Sequence, residues 1–205
     1  LVQTKKYSYD TDRQAKLVRP LYMNLLTGEQ REFAQKRLLK ALDNYGWRLG
    51  TGFLSTPFIL YVLADMNIEY AYRLLENEEM PGWLFMPKMG ANTIWESWEG
   101  TKAQGGVASL NHYSKGAVCE WLFGEMCGIN VDGENKFRIA PKPGGSLTYA
   151  RAEYQSAYGK VVCGWEKTEK GCTYAVTIPS NCKAEILLPN GESHSVEAGK
   201  YTYSI

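Results

Sequence analysis

The chain changes character within Ser114-Lys115-Gly116-Ala117-Val118-Cys119-Glu120-Trp121-Leu122-Phe123-Gly124-Glu125-Met126-Cys127-Gly128-Ile129-Asn130-Val131-Asp132-Gly133-Glu134-Asn135. From Ser114 to Met126 the apolar residues Ala117, Val118, Trp121 and Leu122 fall on one helical face. Past Gly128 the apolar period drops to two, as a half-buried strand requires. A boundary is therefore expected around Ile129 to Asn135, with an all-α part before it and an all-β part after it.

The reading extends upstream as a series of helices. Gln14, Leu17, Val18, Leu21 and Leu25 share one face, with Pro20 expected to disturb the early turns. Phe33, Ala34, Leu38, Ala41, Leu42 and Tyr45 form a cleaner stripe that Gly46 ends. Thr56-Pro57 has the pattern of an N-cap followed by a first-turn proline. Phe58 to Ala64 is apolar on every side, which predicts a helix buried all round. A further helix is predicted from Glu69 to Glu76, with Tyr70, Ala71, Leu74 and Leu75 inward.

Downstream, Tyr174, Val176 and Ile178 alternate with polar residues, as do Ala184, Ile186 and Leu188, and Tyr201, Tyr203 and Ile205. Pro143-Gly144-Gly145, Tyr158-Gly159, Lys170-Gly171, Ser180-Asn181 and Asn190-Gly191 punctuate these runs. Short strands at this spacing suggest an antiparallel sandwich. Tyr149, Tyr154, Tyr158 and Trp165 alternate with apolar partners and are expected in its core.

Composition bounds the function. The 205 residues are 44% hydrophobic and 22% charged, the balance of an ordinary globular protein. A net charge of +1 gives no electrostatic footprint for nucleic acid. No apolar run approaches the ~20 residues of a membrane span. The start, Leu1 to Lys6, carries neither an initiator Met nor an apolar signal core and reads as a fragment or processed product. Cys119, Cys127, Cys163, Cys172 and Cys182 show no C-x-x-C spacing and are expected to be free, mostly buried thiols.

The most unusual stretch runs from Pro81 to Tyr113. It holds Trp83, Phe85, Trp95, Trp98, His112 and Tyr113 beside Glu96 and Glu99, and Gly82, Gly90, Gly100, Gly105 and Gly106 make it loop-like. Aromatic faces next to carboxylates describe a carbohydrate site, where a sugar's C–H face stacks on a ring and its hydroxyls bond to acids. Packing is the commoner use of a Trp-x-x-Trp pair, so Trp95 and Trp98 admit both readings. Glu96 lies between them. A carboxylate beside rings loses hydration and gains proton affinity, which suits a general base, while a solvated or capping Glu is the alternative. Glu99 faces the same choice, with Gly100 suggesting exposure. His112 precedes a helix and reads as a cap, a core histidine, a donor to a sugar hydroxyl or a group that holds the carboxylate in place. His194 lies in a polar turn, where no role is expected.

These residues belong to blocks that resemble the C-terminal portion of bacterial α-L-rhamnosidases of glycoside hydrolase family 78. The blocks are Thr51-Gly52-Phe53-Leu54-Ser55-Thr56-Pro57, Ala71-Tyr72-Arg73-Leu74-Leu75, Trp83-Leu84-Phe85-Met86, Gly90-Ala91-Asn92-Thr93-Ile94-Trp95-Glu96-Ser97-Trp98, Ser109-Leu110-Asn111-His112-Tyr113 with Gly116-Ala117-Val118, and Pro143-Gly144-Gly145-Ser146-Leu147-Thr148-Tyr149-Ala150. Their order runs through nearly the whole chain. The resemblance implies the C-terminal half of an (α/α)6 barrel over residues 1–130 and an antiparallel β-sandwich over 131–205. It implies hydrolysis of terminal α-L-rhamnosides with inversion, which needs two carboxyls ~6.5–9.5 Å apart, one acid and one base.

By the same resemblance, Glu96 is the base, His112 contacts the sugar, and Trp95 and Trp98 wall the pocket. The general acid lies in an acidic block upstream of anything in this chain, so the isolated chain is expected to be inactive. Exposed helix faces would favour self-association. No metal or cofactor is required by this chemistry, and the expected partner is a carbohydrate, with neither nucleic acid nor a membrane. Arg48 stands where the family commonly has a histidine, and the segment from Glu99 to Ser109 is shorter than usual. A non-catalytic carbohydrate-binding module, or another glycosidase or lyase on the same toroid, are the competing classes.

Overall fold

A computed structural model describes residues 11–102 and 108–205. Gly105 and Gly106, expected as loop glycines, lie outside the described residues. The chain divides after Val118 into two compact units. The first is helical and the second carries all eight strands found among the described residues.

In the first unit, α1 (Gln14–Tyr22), α2 (Gly28–Asn44), α3 (Thr56–Met66) and α4 (Ile68–Leu75) pack in sequence order, with α1 against both α2 and α3 and α3 against α4. The α2 stripe is buried as expected at Ala34, Leu38, Ala41 and Leu42, and Gly46 follows its end with φ +63°. Tyr45, one residue beyond the helix, is exposed. Helix α1 ends at Tyr22, so Pro20 sits in its last turn rather than disturbing the first. The helical phase is lost there, and Leu26 is buried where Leu25 was expected. Gln14 earns its place on the apolar face by hydrogen bonding. Its Nε2 donates to the Arg48 carbonyl at 2.9 Å and its Oε1 accepts the Gly50 N–H at 2.8 Å, which ties down the chain leading into Thr51.

The cap of helix α3 falls one residue earlier than predicted, with Ser55 at the N-cap and Pro57 in the first turn. It buries Ile59, Leu60, Val62 and Leu63, but Phe58, Tyr61 and Ala64 are only half-buried, so the expectation of burial all round is corrected. Phe58 stacks on Tyr22 with ring centroids 4.2 Å apart. Helix α4 is capped by the Asn67 side chain, which accepts the Glu69 N–H at 2.9 Å. Tyr72, unassigned from the pattern, is fully buried in it.

The helix predicted from Ser114 to Met126 is a chain of shorter pieces. α5 (Phe85–Lys88) precedes it in the long loop, and α6 (Tyr113–Gly116) and α7 (Val118–Trp121) are followed by a wide helical turn over Leu122–Met126. Cys127 N–H bonds back five residues to the Leu122 carbonyl at 3.0 Å. Interior glycines at 116 and 124 weaken a continuous helix here.

In the second unit two four-stranded sheets form, in the orders β1-β2-β6-β7 and β3-β4-β5-β8. The strands are β1 (Ile129–Val131), β2 (Lys136–Ile139), β3 (Tyr149–Ser156), β4 (Gly159–Thr168), β5 (Gly171–Ile178), β6 (Lys183–Leu187), β7 (Ser193–Val196) and β8 (Gly199–Ser204). Tyr174, Val176, Ile178, Ala184, Ile186 and Leu188 are buried, as their alternation predicted. All pairs are antiparallel except β2 with β6, where Phe137 faces Ala184 and Ile139 faces Ile186 in parallel register. The chain reaches β6 only after building β3, β4 and β5 of the other sheet, and so long a connection permits parallel pairing.

The tyrosines expected in this core are not there. Tyr149 is 68% exposed, and Tyr154 and Tyr158 are also exposed, because β3 is an edge strand that leads into an open turn. Trp165 is buried and donates from Nε1 to the Met126 carbonyl at 2.8 Å. All five cysteines are free. Cys127, Cys163 and Cys182 are buried, Cys172 is half-buried, and Cys119 is exposed. Burial pushes the Cys127 thiol up to about 11 and that of Cys163 further, so neither is a thiolate near neutrality. His194 stacks on Tyr203. Among the described residues no helix is long and apolar enough to cross a membrane.

Candidate functional site

The aromatic loop between α4 and α6 is held from both ends. Asn77 donates from Nδ2 to the carbonyls of Gly46 and Trp47 at 3.0 and 2.8 Å, and the Leu49 N–H reaches the Pro81 carbonyl at 2.8 Å. Trp47 in turn lies under the Arg73 guanidinium at 4.1 Å. Arg48 is absorbed by the same frame, donating to the carbonyls of Tyr45 and Met80 at 3.0 and 3.3 Å. Trp83 is buried, and its Nε1 donates to the Lys115 carbonyl at 3.0 Å.

Within this frame, residues 93–96 run alongside 109–112 like two rungs of a hairpin. The Glu96 N–H donates to the Ser109 carbonyl at 2.8 Å and the His112 N–H to the Ile94 carbonyl at 2.7 Å. The Thr93 hydroxyl donates to the Leu110 carbonyl. Glu96 Oε2 accepts the Ser109 N–H at 3.0 Å. The carboxylate is thus held at one oxygen by the backbone opposite, and the side chain is half-buried.

His112 caps α6, its Nδ1 accepting the Ser114 N–H at 3.3 Å. That bond leaves the neutral ring's proton on Nε2, a donor of the kind a hydroxyl accepts. The ring is stacked on Phe53 at 4.4 Å and near-parallel to Tyr113 at 5.2 Å. The Ser114 hydroxyl completes this corner by donating to the Phe53 carbonyl at 2.9 Å. The Thr-Gly-Phe block and the Asn-His-Tyr block therefore meet, and Phe53 joins the candidate residues, a contact that sequence reasoning missed. The available signal was an aromatic residue next to Gly52 and outside any helical stripe.

The two tryptophans differ. Trp95 is half-buried, its ring lies so close over Gly100 that a Cβ there would meet the nearest ring carbon at 2.5 Å, and its main-chain N–H donates to the Met86 sulfur at 3.2 Å. Gly100 has φ +56° and is the residue that lets the ring lie flat on backbone. Trp98 is half-buried and lies under the Lys115 ammonium, 3.6 Å from the ring centroid. Glu99 is exposed, as expected. A hydrogen bond from the Ser97 hydroxyl, then one from its own backbone N–H, holds its carboxyl below the usual range.

Lys115 was also missed. It is 4% exposed, and its ammonium donates to the Glu96 main-chain carbonyl. Its place three and seven residues before Val118 and Leu122 put a charge on the apolar stripe, which was the available clue. Burial pulls its ammonium down to about 8 from 10.5, against the opposing attraction of Glu96 and Glu99. Between these values the unfolded chain binds the proton that the folded chain has released. Stability therefore rises with pH through this window, where the cost of burying the charge is relieved, and the cost is fully present below it. Urea melts at pH 7.5 and pH 10 are expected to show this rise in the native chain. The rise should be smaller in Lys115→Met, and equal slopes in the two proteins would contradict it.

Residues 1–126 fit the model of the bacterial α-L-rhamnosidase six-hairpin glycosidase domain, and residues 131–202 that of the bacterial α-L-rhamnosidase C-terminal domain. The chain belongs to the bacterial α-L-rhamnosidase family. An α-L-rhamnosidase of Streptomyces avermitilis is 36% identical over 187 residues, 87% of this chain and 18% of that protein. One from Formosa agariphila is 35% identical over 202 residues, 95% of this chain and 22% of that protein. The crystal structure of the S. avermitilis α-L-rhamnosidase complexed with L-rhamnose superposes with a TM-score of 0.85 at 31% identity, covering 95% of this chain and 22% of that one. The chain thus spans about a fifth of the length of the rhamnosidases it matches, and corresponds to a C-terminal portion.

Proposed function

We propose that this chain is the C-terminal part of an inverting α-L-rhamnosidase and supplies that enzyme's general base, Glu96. The reading is of the C-terminal half of an (α/α)6 barrel over residues 1–130 followed by an antiparallel β-sandwich over 131–205. The observation that carries it is the pairing of residues 93–96 with 109–112. It sets Glu96 and His112 on facing segments, with one carboxyl oxygen anchored by the Ser109 N–H at 3.0 Å. A base needs this combination of a fixed side chain and a second oxygen that can take a proton from water.

In this mechanism the rhamnoside's ring hydroxyl accepts from His112 Nε2, and the sugar packs against Trp98 and the edge of Trp95. An acid upstream of this chain protonates the glycosidic oxygen. Glu96, ionised, takes a proton from the water that attacks the anomeric carbon from the opposite face. The leaving alcohol carries away the acid's proton and the sugar keeps the water's oxygen, with its configuration inverted. Protonation and charge stabilisation come from carboxyls, so the scheme uses no metal.

Half of the acid/base pair lies outside the chain, and the isolated 205-residue protein is expected to release no nitrophenol from an aryl α-L-rhamnoside. Turnover above the buffer rate, abolished by Glu96→Gln, would overturn this division of labour. The helical unit also exposes Met23, Leu25, Leu54 and Tyr113, apolar side chains that favour association. Light scattering on the isolated chain is expected to give a mass above that of the 23.1 kDa monomer, and a single monomeric species at micromolar concentration would count against it.

A further inference from the structure

Lys115 is the buried charge that the mechanism above does not use. Its four-carbon stem comes off α6 and carries the ammonium to the main-chain carbonyl of Glu96, over the face of Trp98. An ammonium so far out of water persists only where fixed dipoles replace its hydration. Here those dipoles are a carbonyl and an indole face, with Glu96 and Glu99 as the acidic groups acting on it.

Residue 96 is thereby gripped at three points. Its N–H is bonded to the Ser109 carbonyl, its C=O receives the Lys115 ammonium, and its Oε2 receives the Ser109 N–H. Among the described residues, Oε1 takes no hydrogen bond. Two of the grips come from the facing segment, and only the Lys115 one comes from a helix.

We infer that Lys115 is a positioning residue. It locks the peptide of Glu96 and one face of Trp98 together, so that Glu96 Oε1 and the opposite face of Trp98 are presented to the sugar as one rigid unit. This rests on the reading of Glu96 as the base. A sugar can then stack only on the Trp98 face turned away from the ammonium. Loss of the lock lets the Glu96 turn drift, and a displacement of about 1 Å in a proton-transfer group is worth as much as ~10²-fold in rate.

The test has two parts. Amide hydrogen exchange on this chain is expected to accelerate at least tenfold at Glu96 and Ser109 in Lys115→Met, with the amides of α1–α4 unchanged. In the complete enzyme that carries this chain, Lys115→Met is expected to lower kcat about 10–100-fold while the inhibition constant for L-rhamnose moves less than about threefold. Lys115→Arg, which keeps the charge, should recover most of both properties. Unchanged exchange at Glu96 and Ser109 overturns the inference. So does acceleration spread equally over α1–α4, which would make Lys115 merely structural, or a folded Lys115→Arg as impaired as Lys115→Met. Should Glu96→Gln retain activity, the base reading fails while the exchange result can still stand. The two failures are therefore distinguishable.

Discussion

Glu96→Gln in the complete enzyme is expected to lower kcat on an aryl α-L-rhamnoside by ~10²–10⁴-fold, the usual worth of a general base. The substitution is nearly isosteric. The amide oxygen of Gln can accept the Ser109 N–H that Glu96 Oε2 accepts at 3.0 Å, and the backbone bonds to Ser109 and Lys115 do not involve the side chain. The fold and sugar contacts should therefore survive, and KM should change little. What is lost is the negative oxygen that takes a proton from water. In an inverting reaction the water attacks in the same step as bond cleavage, so no covalent intermediate can accumulate to mask the defect. A fall of less than tenfold, with the variant folded, removes Glu96 from the role. A comparable fall in Glu99→Gln would move the role to the exposed neighbour, whose carboxyl is engaged by Ser97.

Some elements were readable from periodicity because a single packing partner sufficed to explain them. The α2 stripe and the alternation of Tyr174, Val176 and Ile178 each bury one face, and the buried residues follow the predicted phase. Legibility failed where burial depends on what the rest of the chain brings near. Phe58, Tyr61 and Ala64 have the composition of a fully buried helix, but only one side of α3 is covered. Tyr149 alternates correctly, but it lies on an edge strand. Leu25 lost its phase to Leu26 once α1 ended at Tyr22. The parallel pairing of β2 with β6 was invisible, because period two carries no direction.

The candidate site followed the same rule. Residue types at Glu96, His112, Trp95 and Trp98 suggested carbohydrate chemistry. The pairing of 93–96 with 109–112 joins segments 13 or more residues apart across Glu96 and Ser109, and no local signal encodes it. Lys115 broke the apolar pattern of its own helix, but only the fold supplies the carbonyl and the ring it serves.

The second unit should be sensitive at Gly128, where Gly128→Ala is expected to cost about 2–5 kcal/mol, combining a left-handed conformation with overpacking. In sequence Gly128 looks like any glycine after a helix. In the structure it has φ +77°, and an added Cβ would meet the Pro141 nitrogen at 2.1 Å and the Ala140 carbonyl carbon at 2.3 Å. Those atoms are backbone and cannot swing aside as a side chain would. The Gly128 carbonyl also accepts the Ala140 N–H at 2.9 Å, next to the pairing of Ile129 with Ile139 that starts the first sheet. Relieving the overlap means pulling β1 from β2.

Gly191 provides the control. It too has positive φ, +91°, but a Cβ there meets nothing within 4 Å, so Gly191→Ala should cost the strain alone, about 1–2 kcal/mol. For a unit of this size each kcal/mol lowers Tm by about 4–8 °C. The variants share the strain and differ by the overpacking of about 1–3 kcal/mol, so calorimetry should separate them by at least about 4 °C. Equal melting temperatures would mean that β1 and β2 yield to the added carbon without loss, and that the close approach at Gly128 does not hold this end of the sheet.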